Sequence, residues 1–419
     1  MTTLLLLGLL AVLLVLRLSL LWVLIAGALF AHLVWGNGDL SYLVEDIWHA
    51  MDREELLAIP LFVLVGQIMA RGQIASRLIE VIVQLSRPVP GGMAMATILS
   101  CAVFSAISGS SVVTMLAVGA VLYPALIANG YSARFAVGAL CAGGTLGIVI
   151  PPSVPMILYG IVTESSIVDL FIAGVGPGLL LTGVFCIYAV VMNRHHRAQP
   201  IDIGALWLAA RRGLPAMLMP VILLGGIYSG HFTPTEAAAV AIAYALLVEA
   251  LLFRDMRLAD YTGTVVEAAK LVGALFPLIA IAASVNLLLT EHHLPEQLLQ
   301  WANAHVDSPS GFILAANALL LLIGCFMDTG SAIVVAAPLL QPLGESYGFS
   351  ATHMGIVMIL NLEIGILTPP FGLNLIVAMT AYKQSFGFIT KAVLPWVGLM
   401  MACLLLIVFQ PWIAMGLVR

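Results

Sequence analysis

Apolar runs occupy most of this 419-residue chain, and many of them reach the length that a helix needs to cross a lipid bilayer. A hydrocarbon core of about 30 Å requires about 20 apolar residues in helical form. Hydrophobic residues make up 62% of the chain and charged residues only 9%, against about a quarter charged in a soluble domain. The chain is therefore predicted to be an all-α polytopic membrane protein. A water-soluble enzyme is excluded, and the 16 Lys and Arg form no basic stripe for nucleic acid.

The predicted membrane segments are of two kinds. Two helices are predicted over Met1 to Leu16 and Leu18 to Trp35, with Arg17 as the turn between them, in place of a signal peptide. Two other apolar regions, 92–128 and 309–345, are each about twice the spanning length and are interrupted near the middle by a small polar cluster. The remaining single segments are predicted over 56–70, 134–162, 165–192, 214–231, 235–253, 264–290, 351–381 and 393–417.

The basic residues indicate how the two long regions fold, because short cytoplasmic loops collect Lys and Arg. If each region enters the membrane and returns on the same side, 14 of the 16 basic residues lie on one face, and only Arg53 and Arg419 lie outside it. If each region crosses once, the later loops change sides and the bias disappears. The charges therefore predict two re-entrant helical hairpins and an outer face that collects Asp and Glu.

An internal repeat relates the two hairpins. Residues 122–152 align with 340–370 at an offset of 218, and nine of the 31 positions are identical without a gap. The GIxxPP motif that begins at Gly147 falls on the GIxxPP motif that begins at Gly365. Because the first hairpin enters from the cytoplasm and the second from outside, the halves are predicted to be inverted copies, as in secondary transporters. The predicted units are N-terminal scaffold helices (1–53), a first repeat (54–192), a cytoplasmic linker with scaffold helices (193–263) and a second repeat (264–419).

Four short stretches are predicted to hold the chemistry: the hairpin tips 108–111 and 328–331, and the double-proline breaks 147–153 and 365–372. Two consecutive prolines remove two backbone donors, so each helix must open before them. Opened backbone is tolerated at membrane depth only where it lines a cavity or binds a ligand. Opened carbonyls with Ser or Thr hydroxyls suit Na⁺, and half-helix N-termini suit an anionic group. Each tip is expected to meet the break of its own half, which gives two ion sites beside one substrate pocket.

The candidate ligands come from these four stretches. The candidate Na⁺ ligands are Ser108, Gly109, Ser110, Ser111, Gly147, Asp328, Thr329, Gly330, Gly365 and Thr368. The candidate substrate-binding residues are Ser111, Thr145, Pro152, Ser153, Ser331 and Pro370.

Structural roles compete with these assignments. Hydroxyls in membrane helices often donate to a carbonyl one turn earlier. Asp328 is either a ligand or a cap of the hairpin, and Glu363 either supports the site or bonds to opened backbone. Hydrogen bonding within the fold is the expected role of the other intramembrane polar residues, His353, Asn317, Asn361 and Asn374. No catalytic residue is predicted, since G-x-S-x-G and H-E-x-x-H are both absent from the sequence.

The chain resembles the large membrane subunit of tripartite ATP-independent periplasmic (TRAP) transporters, the DctM-like permeases. The resemblance runs from about residue 54 over nearly all of the remaining chain. Its motifs include LAIPLF from Leu57, SGSS from Ser108, LGIVIPPS from Leu146, TPTEA from Thr233, Asp328 and IGILTPP from Ile364. Two features depart from the family: Arg17-Leu18-Ser19 stands where a Gly and Pro are usual, and Thr114 stands where many members have an acidic residue.

The resemblance implies sodium-coupled symport of a small organic anion, with a transport domain of hairpins and broken helices that moves as an elevator against a scaffold. It implies no cofactor besides Na⁺ as the coupling ion. Its implied partners are a small four-helix membrane subunit and a periplasmic substrate-binding protein, and its implied location is the bacterial inner membrane. The alternative is a channel or a secondary transporter for a small anion that works without a binding protein. No Arg is predicted at a tip or break, so the sequence names no particular substrate.

Overall fold

The computed structural model describes residues 12–13, 20–34, 41–306 and 308–418, and nearly all of them are helical. Eight helices in this part of the chain are long and apolar enough to cross a membrane. The predicted helix over Met1 to Leu16 lies largely outside the described residues, as do Arg17, Trp35 and Arg419. In the first half, the helices are α1 (Leu20–Val34), α2 (Ser41–Met51), α3 (Ala58–Arg71), α4 (Ile74–Ser86), α5 (Gly92–Ser108), α6 (Ser111–Ala128), α7 (Ala133–Val149), α8 (Val154–Val162) and α9 (Ile167–Met192).

The second half has a corresponding set of helices. They are α10 (Ile203–Tyr228), α11 (Pro234–Leu247, continued by a π-helical segment Val248–Phe253), α12 (Leu258–Glu291), α13 (Leu294–His305), α14 (Pro309–Phe326), α15 (Thr329–Ser346), α16 (Ala351–Gly365), α17 (Leu373–Tyr382), α18 (Phe386–Phe409) and α19 (Trp412–Met415). A 3₁₀ turn, Glu54–Leu57, precedes α3. α12 begins inside the predicted linker, six residues before the predicted boundary at 264.

The repeat extends well beyond the motifs that reveal it. Shifted by 218 residues, α4 to α9 fall on α13 to α18, and every helix boundary agrees within two residues. α6 and α15 coincide at both ends under this shift. The tertiary structure therefore confirms the duplication that the double prolines predict.

Both long apolar regions fold as hairpins. In the second, Asn317 of α14 contacts Asn361 of α16, and the backbone of Gly324 packs against Gly365, so α14 runs parallel to α16. Further along, Thr329 and Gly344 of α15 contact Glu363 and Met354 of α16 respectively, so α15 runs antiparallel to α16. The two arms thus run in opposite directions.

The first hairpin has the same relation to α7. Gly143 of α7 faces Cys101 of α5, and Gly144 of α7 faces Met115 of α6, so the two arms flank α7 at one level. α6 returns to α7 through the short turn 129–132, which makes these two helices antiparallel. The tip between the arms lies at the far end of α7, beside the first break.

The two hairpins enter the fold from opposite ends of α9. At the C-terminal end of α9, the N–H of Gly91 donates to His196 O at 3.1 Å and holds the base of the first hairpin. At the other end, Tyr159 of α8 donates its hydroxyl to Ala351 O at 2.8 Å, at the base of the second hairpin. The halves are therefore inverted, in agreement with the charge pattern.

Polar loops at the C-terminal end of α9 also tie the first hairpin to the segment after α9. Arg87 donates to Gln199 Oε1 at 2.9 Å, and Tyr131 stacks on His196 with ring centroids 3.9 Å apart. Burial and the neighbouring His195 lower the pKa of His196, which favours the neutral ring in this stack. Three of the loops predicted to share one face therefore meet in the folded chain.

Three helices, α2, α4 and α13, were not among the predicted segments. Each is amphipathic and too short to span a bilayer, so a search for long apolar runs does not find it. α3 and α4 are separated by a bend of 66°. The bend is held by Glu249 of α11, whose buried Oε1 accepts the N–H of Ile74 at 2.9 Å.

We expect Glu249→Leu to destabilise this bend. The N–H of Ile74 would lose its acceptor in a buried place, which costs about 1–3 kcal/mol. The midpoint of thermal unfolding in detergent should fall by about 1–3 °C. Glu249→Gln keeps an acceptor oxygen and should unfold at or above the wild-type midpoint. Equal midpoints for the Leu variant and the wild type would contradict this role.

Candidate functional site

The first hairpin turns at Gly109, whose φ of +59° favours glycine. Its carbonyl oxygen accepts the N–H of Val154 at 3.3 Å, so the tip touches the start of α8. Ser108 Oγ lies 2.6 Å from Thr114 Oγ1. A Cβ on Gly147 would lie 2.7 Å from that threonine oxygen, so only glycine lets α7 approach so closely. The first tip thus gathers neutral oxygens against the break of its own half.

The first break separates α7 from α8. α7 ends at Val149, Ile150 is extended, and the Pro151–Pro152 peptide bond is cis. Ser153 then caps α8, since its hydroxyl accepts the N–H of Met156 at 3.5 Å. The two prolines and Ser153 are all buried.

The second tip carries acidic groups that the first tip lacks. Asp328 caps α15: its Oδ2 accepts the N–H of Ser331 at 2.9 Å and its Oδ1 accepts the Ser331 hydroxyl at 2.5 Å. The Thr329 hydroxyl donates to Glu363 Oε1 at 2.9 Å. Glu363 is fully buried, and its Oε2 has no partner among the described residues. Two carboxylates therefore flank Thr329 at the second break.

The second break is more open than the first. The Pro369–Pro370 bond is also cis, but both prolines and Phe371 are exposed. The N–H of Gly372, at the start of α17, donates to Cys325 O at 3.4 Å and so joins the break to its own hairpin.

Each hairpin also contacts the other half of the chain. In the first hairpin, Ser111 Oγ lies 3.4 Å from Asn374 Oδ1 on α17, and Tyr382 of α17 donates its hydroxyl to Met115 O at 3.0 Å. In the second, Gly330 packs against Leu158 of α8. The four candidate stretches thus form one central site in which the two halves cross.

Two of the candidate hydroxyls donate to a backbone carbonyl about one turn earlier in the chain. Thr145 donates to Ala142 O at 2.6 Å and faces Met400 of α18, away from the tips. Thr368 donates to Ile364 O at 2.7 Å. Both therefore adopt the backbone-bonded arrangement. Ser110, half-buried at the first tip, caps no backbone N–H with its side chain.

The intramembrane polar residues divide into two groups. His353 bonds to Ile407 O at 3.1 Å and Asn317 donates to Ile313 O at 2.7 Å, both structural roles. Asn361 donates to Asn317 Oδ1 at 2.6 Å and joins α16 to α14. Asn374 instead lies at the centre, as Glu363 does, and its Nδ2 has no partner among the described residues. Its position four residues after a double proline is the signal that could have singled it out.

Inverted repeats, paired hairpins and double-proline breaks that meet at one polar centre define a multi-pass membrane transporter of the secondary type. A family profile described as "Tripartite ATP-independent periplasmic transporter, DctM component" matches residues 7–413. The chain belongs to this family of large TRAP permease subunits, and it is a transport protein, not an enzyme.

Relatives agree with this assignment, and a solved structure shares the fold. The chain is 38% identical over 396 residues to the C4-dicarboxylate TRAP transporter large permease protein DctM of Pseudomonas aeruginosa, covering 94% of this chain and 92% of the relative. It is 33% identical to the ectoine TRAP transporter large permease protein TeaC of Halomonas elongata, covering 93% and 92%. The crystal structure of the Alcanivorax borkumensis YdaH transporter superposes with a TM-score of 0.64 at 15% identity, covering 89% of this chain and 88% of that one, and shares its fold.

Proposed function

We propose that this chain carries out sodium-coupled uptake of a small organic anion that a periplasmic binding protein delivers. The observation that supports this most directly is the pair of tips, each placed against a double-proline break. The first offers Ser and Thr hydroxyls with carbonyl oxygens, and the second offers Asp328 and Glu363 beside a threonine hydroxyl. Neutral and anionic oxygens are the ligands that hard cations prefer.

The described residues hold no group of three or more His, Cys, Asp or Glu that could bind a metal ion by itself. A cation at the first tip would therefore rely on carbonyl and hydroxyl oxygens, and one at the second tip on two carboxyl groups with the Thr329 hydroxyl. All-oxygen ligands of this kind suit Na⁺ better than a transition metal. Bound Na⁺ would also offset the charge of the substrate while both cross the apolar core.

We propose an elevator movement in which the hairpins and broken helices slide along α3 and α12. A cavity of about 540 Å³ lies beside the contact between α12 and α15 and is lined by Ala282 and Asn286 on one side and Val334 and Pro338 on the other. The Arg53–Glu164 ion pair, at 3.0 Å, joins the segment before α3 to the loop after α8. A cavity and an exposed ion pair along this boundary favour sliding, since neither resists displacement strongly.

The substrate class follows from the relatives and from the family's tripartite assembly. C4-dicarboxylates and ectoine, named for two relatives, both carry a carboxylate group. We therefore propose a carboxylate-bearing substrate, a small four-helix membrane subunit and a periplasmic binding protein as partners, and the bacterial inner membrane as the location.

The experiment is uptake into proteoliposomes that contain this chain, its small subunit and its binding protein, with K⁺ in place of Na⁺. We expect the initial rate of uptake to fall at least about tenfold, because unoccupied tips leave buried carboxylates without a counter-ion. Choline in place of K⁺ controls for a specific effect of potassium. Undiminished uptake without Na⁺ would contradict sodium coupling, and undiminished uptake without the binding protein would favour the independent transporter or channel.

A further inference from the structure

Four helix N-termini point at the central site, and they are not alike. α8 is capped by Ser153 and α15 by Asp328. α6 begins after Ser110 and α17 begins after Gly372, and neither has a side-chain cap. An uncapped N-terminus leaves backbone N–H donors free and carries the positive end of the helix dipole.

The two uncapped ends lie together. Ser111, the first residue of α6, contacts Asn374, the second residue of α17, through the 3.4 Å approach of Oγ to Oδ1. The capped start of α8 also lies at the first tip, where the N–H of Val154 donates to Gly109 O. The capped end of α15 lies one turn further along α8, where Gly330 packs against Leu158.

The uncapped pair has donors and lacks acceptors for them. Asn374 is completely buried, and its Nδ2 has no partner among the described residues. The backbone N–H groups of Leu373 and Asn374 also find no acceptor in this part of the chain, since the first N–H of α17 to be bonded is that of Leu375. Buried donors without partners are costly unless a ligand satisfies them.

We propose that the carboxylate of the substrate binds between the N-termini of α6 and α17, with Asn374 Nδ2 as the side-chain donor. The Ser111 hydroxyl donates to Asn374 Oδ1 and orients the amide. This inference rests on the proposed function and locates the anion within it. The donors suit an oxyanion and not a cation. The exposed prolines of the second break lie three and four residues before α17 and leave this end accessible.

Only the second half of the repeat carries the side-chain donor of this anion site. The position equivalent to Asn374 in the first half is Met156, which has no donor in its side chain. The start of α15, with Asp328 and the nearby Glu363, is instead suited to a cation. One anion site and a separate acidic cation site follow from this asymmetry.

The test compares Asn374→Asp and Asn374→Leu with the wild type in proteoliposomes that contain both partners. The probes are radiolabelled succinate and radiolabelled ectoine. Loss of one hydrogen bond to a charged group predicts a KM about tenfold higher for the Leu variant. The Asp variant adds like-charge repulsion and should show a larger loss. Asn129→Asp makes the same change at the exposed far end of α6 and should match the wild type.

A second measurement separates binding from folding. Stabilisation of the purified protein by NaCl relative to KCl, measured as the thermal midpoint, should be the same in the wild type and both Asn374 variants. Wild-type KM values in the variants would overturn the anion site while leaving sodium-coupled uptake intact. Loss of sodium stabilisation in both variants would assign Asn374 to the fold and also overturn it. Wild-type uptake of either probe that is undiminished when K⁺ replaces Na⁺ would contradict the proposed function itself.

Discussion

Gly365→Ala should reduce uptake to the level of liposomes without protein. A Cβ at this position would lie 2.5 Å from Gly324 Cα and 2.6 Å from its carbonyl carbon. Both groups belong to backbone, so no flexible side chain can move aside. Overpacking typically costs about 1–3 kcal/mol and can cost more where the backbone must shift. Here the shift would separate α14 from α16 and draw the second tip away from its break.

The matched control is Gly398→Ala on α18. A Cβ there meets nothing within 4 Å, so uptake and thermal midpoint should equal those of the wild type. Both variants are measured for uptake and for the fraction of protein that elutes as a folded species in detergent. Wild-type uptake by Gly365→Ala would show that α14 and α16 lie further apart than the structure places them.

Asp328→Asn should raise the Na⁺ concentration for half-maximal uptake by about 10- to 150-fold, the range expected when a hydrogen-bonded or ligating charge worth about 1.5–3 kcal/mol is lost. The amide oxygen can still accept the Ser331 N–H, so the α15 cap and the thermal midpoint should be retained. Asp328→Ala should lose both the sodium affinity and about 1 kcal/mol of stability from the cap. The two variants thus separate the ligand and capping roles of this residue.

Asp202→Asn is the control for this pair. Asp202 caps α10, since its Oδ1 accepts the N–H of Ala205 at 2.9 Å. Its side chain is exposed, and it is distant in sequence from both tips. It should leave the sodium dependence unchanged. If Asp328→Asn also leaves it unchanged, Asp328 is a cap only, and the second cation site must depend on Glu363 and Thr329.

Much of the fold could be predicted from the sequence because its strongest signals are physical constraints of the bilayer. The side preference of basic loops predicted both hairpins, and the double prolines after Gly147 and Gly365 predicted both breaks and their repeat. The helices α2, α4 and α13 could not be found in this way, since their apolar residues follow one helical face and form no long run. The segments around Arg17 lie outside the described residues, so the arrangement predicted there stays a prediction.

The sequence predicted which four stretches form the central site, but it did not predict which of their residues contact one another. The tips and breaks do meet, yet the repeat relates each tip only to its own half. Nothing in the repeat indicates that Ser111 approaches Asn374, which lies 263 residues further along. Sequence spacing also cannot show which side chains bond to backbone nearby. The Thr145 hydroxyl donates to Ala142 O, whereas its counterpart in the second half, Glu363, accepts from Thr329 at the tip.

The crossing of the halves also bears on how such a chain can arise by duplication. Each hairpin covers its inner side with a half-helix from the opposite repeat, α6 with α17 and α15 with α8. One repeat alone would leave its hairpin without this cover and its centre open to lipid. A single-repeat ancestor would therefore have been complete only as a homodimer whose subunits were inserted in opposite orientations, and gene fusion would have made that dual insertion permanent.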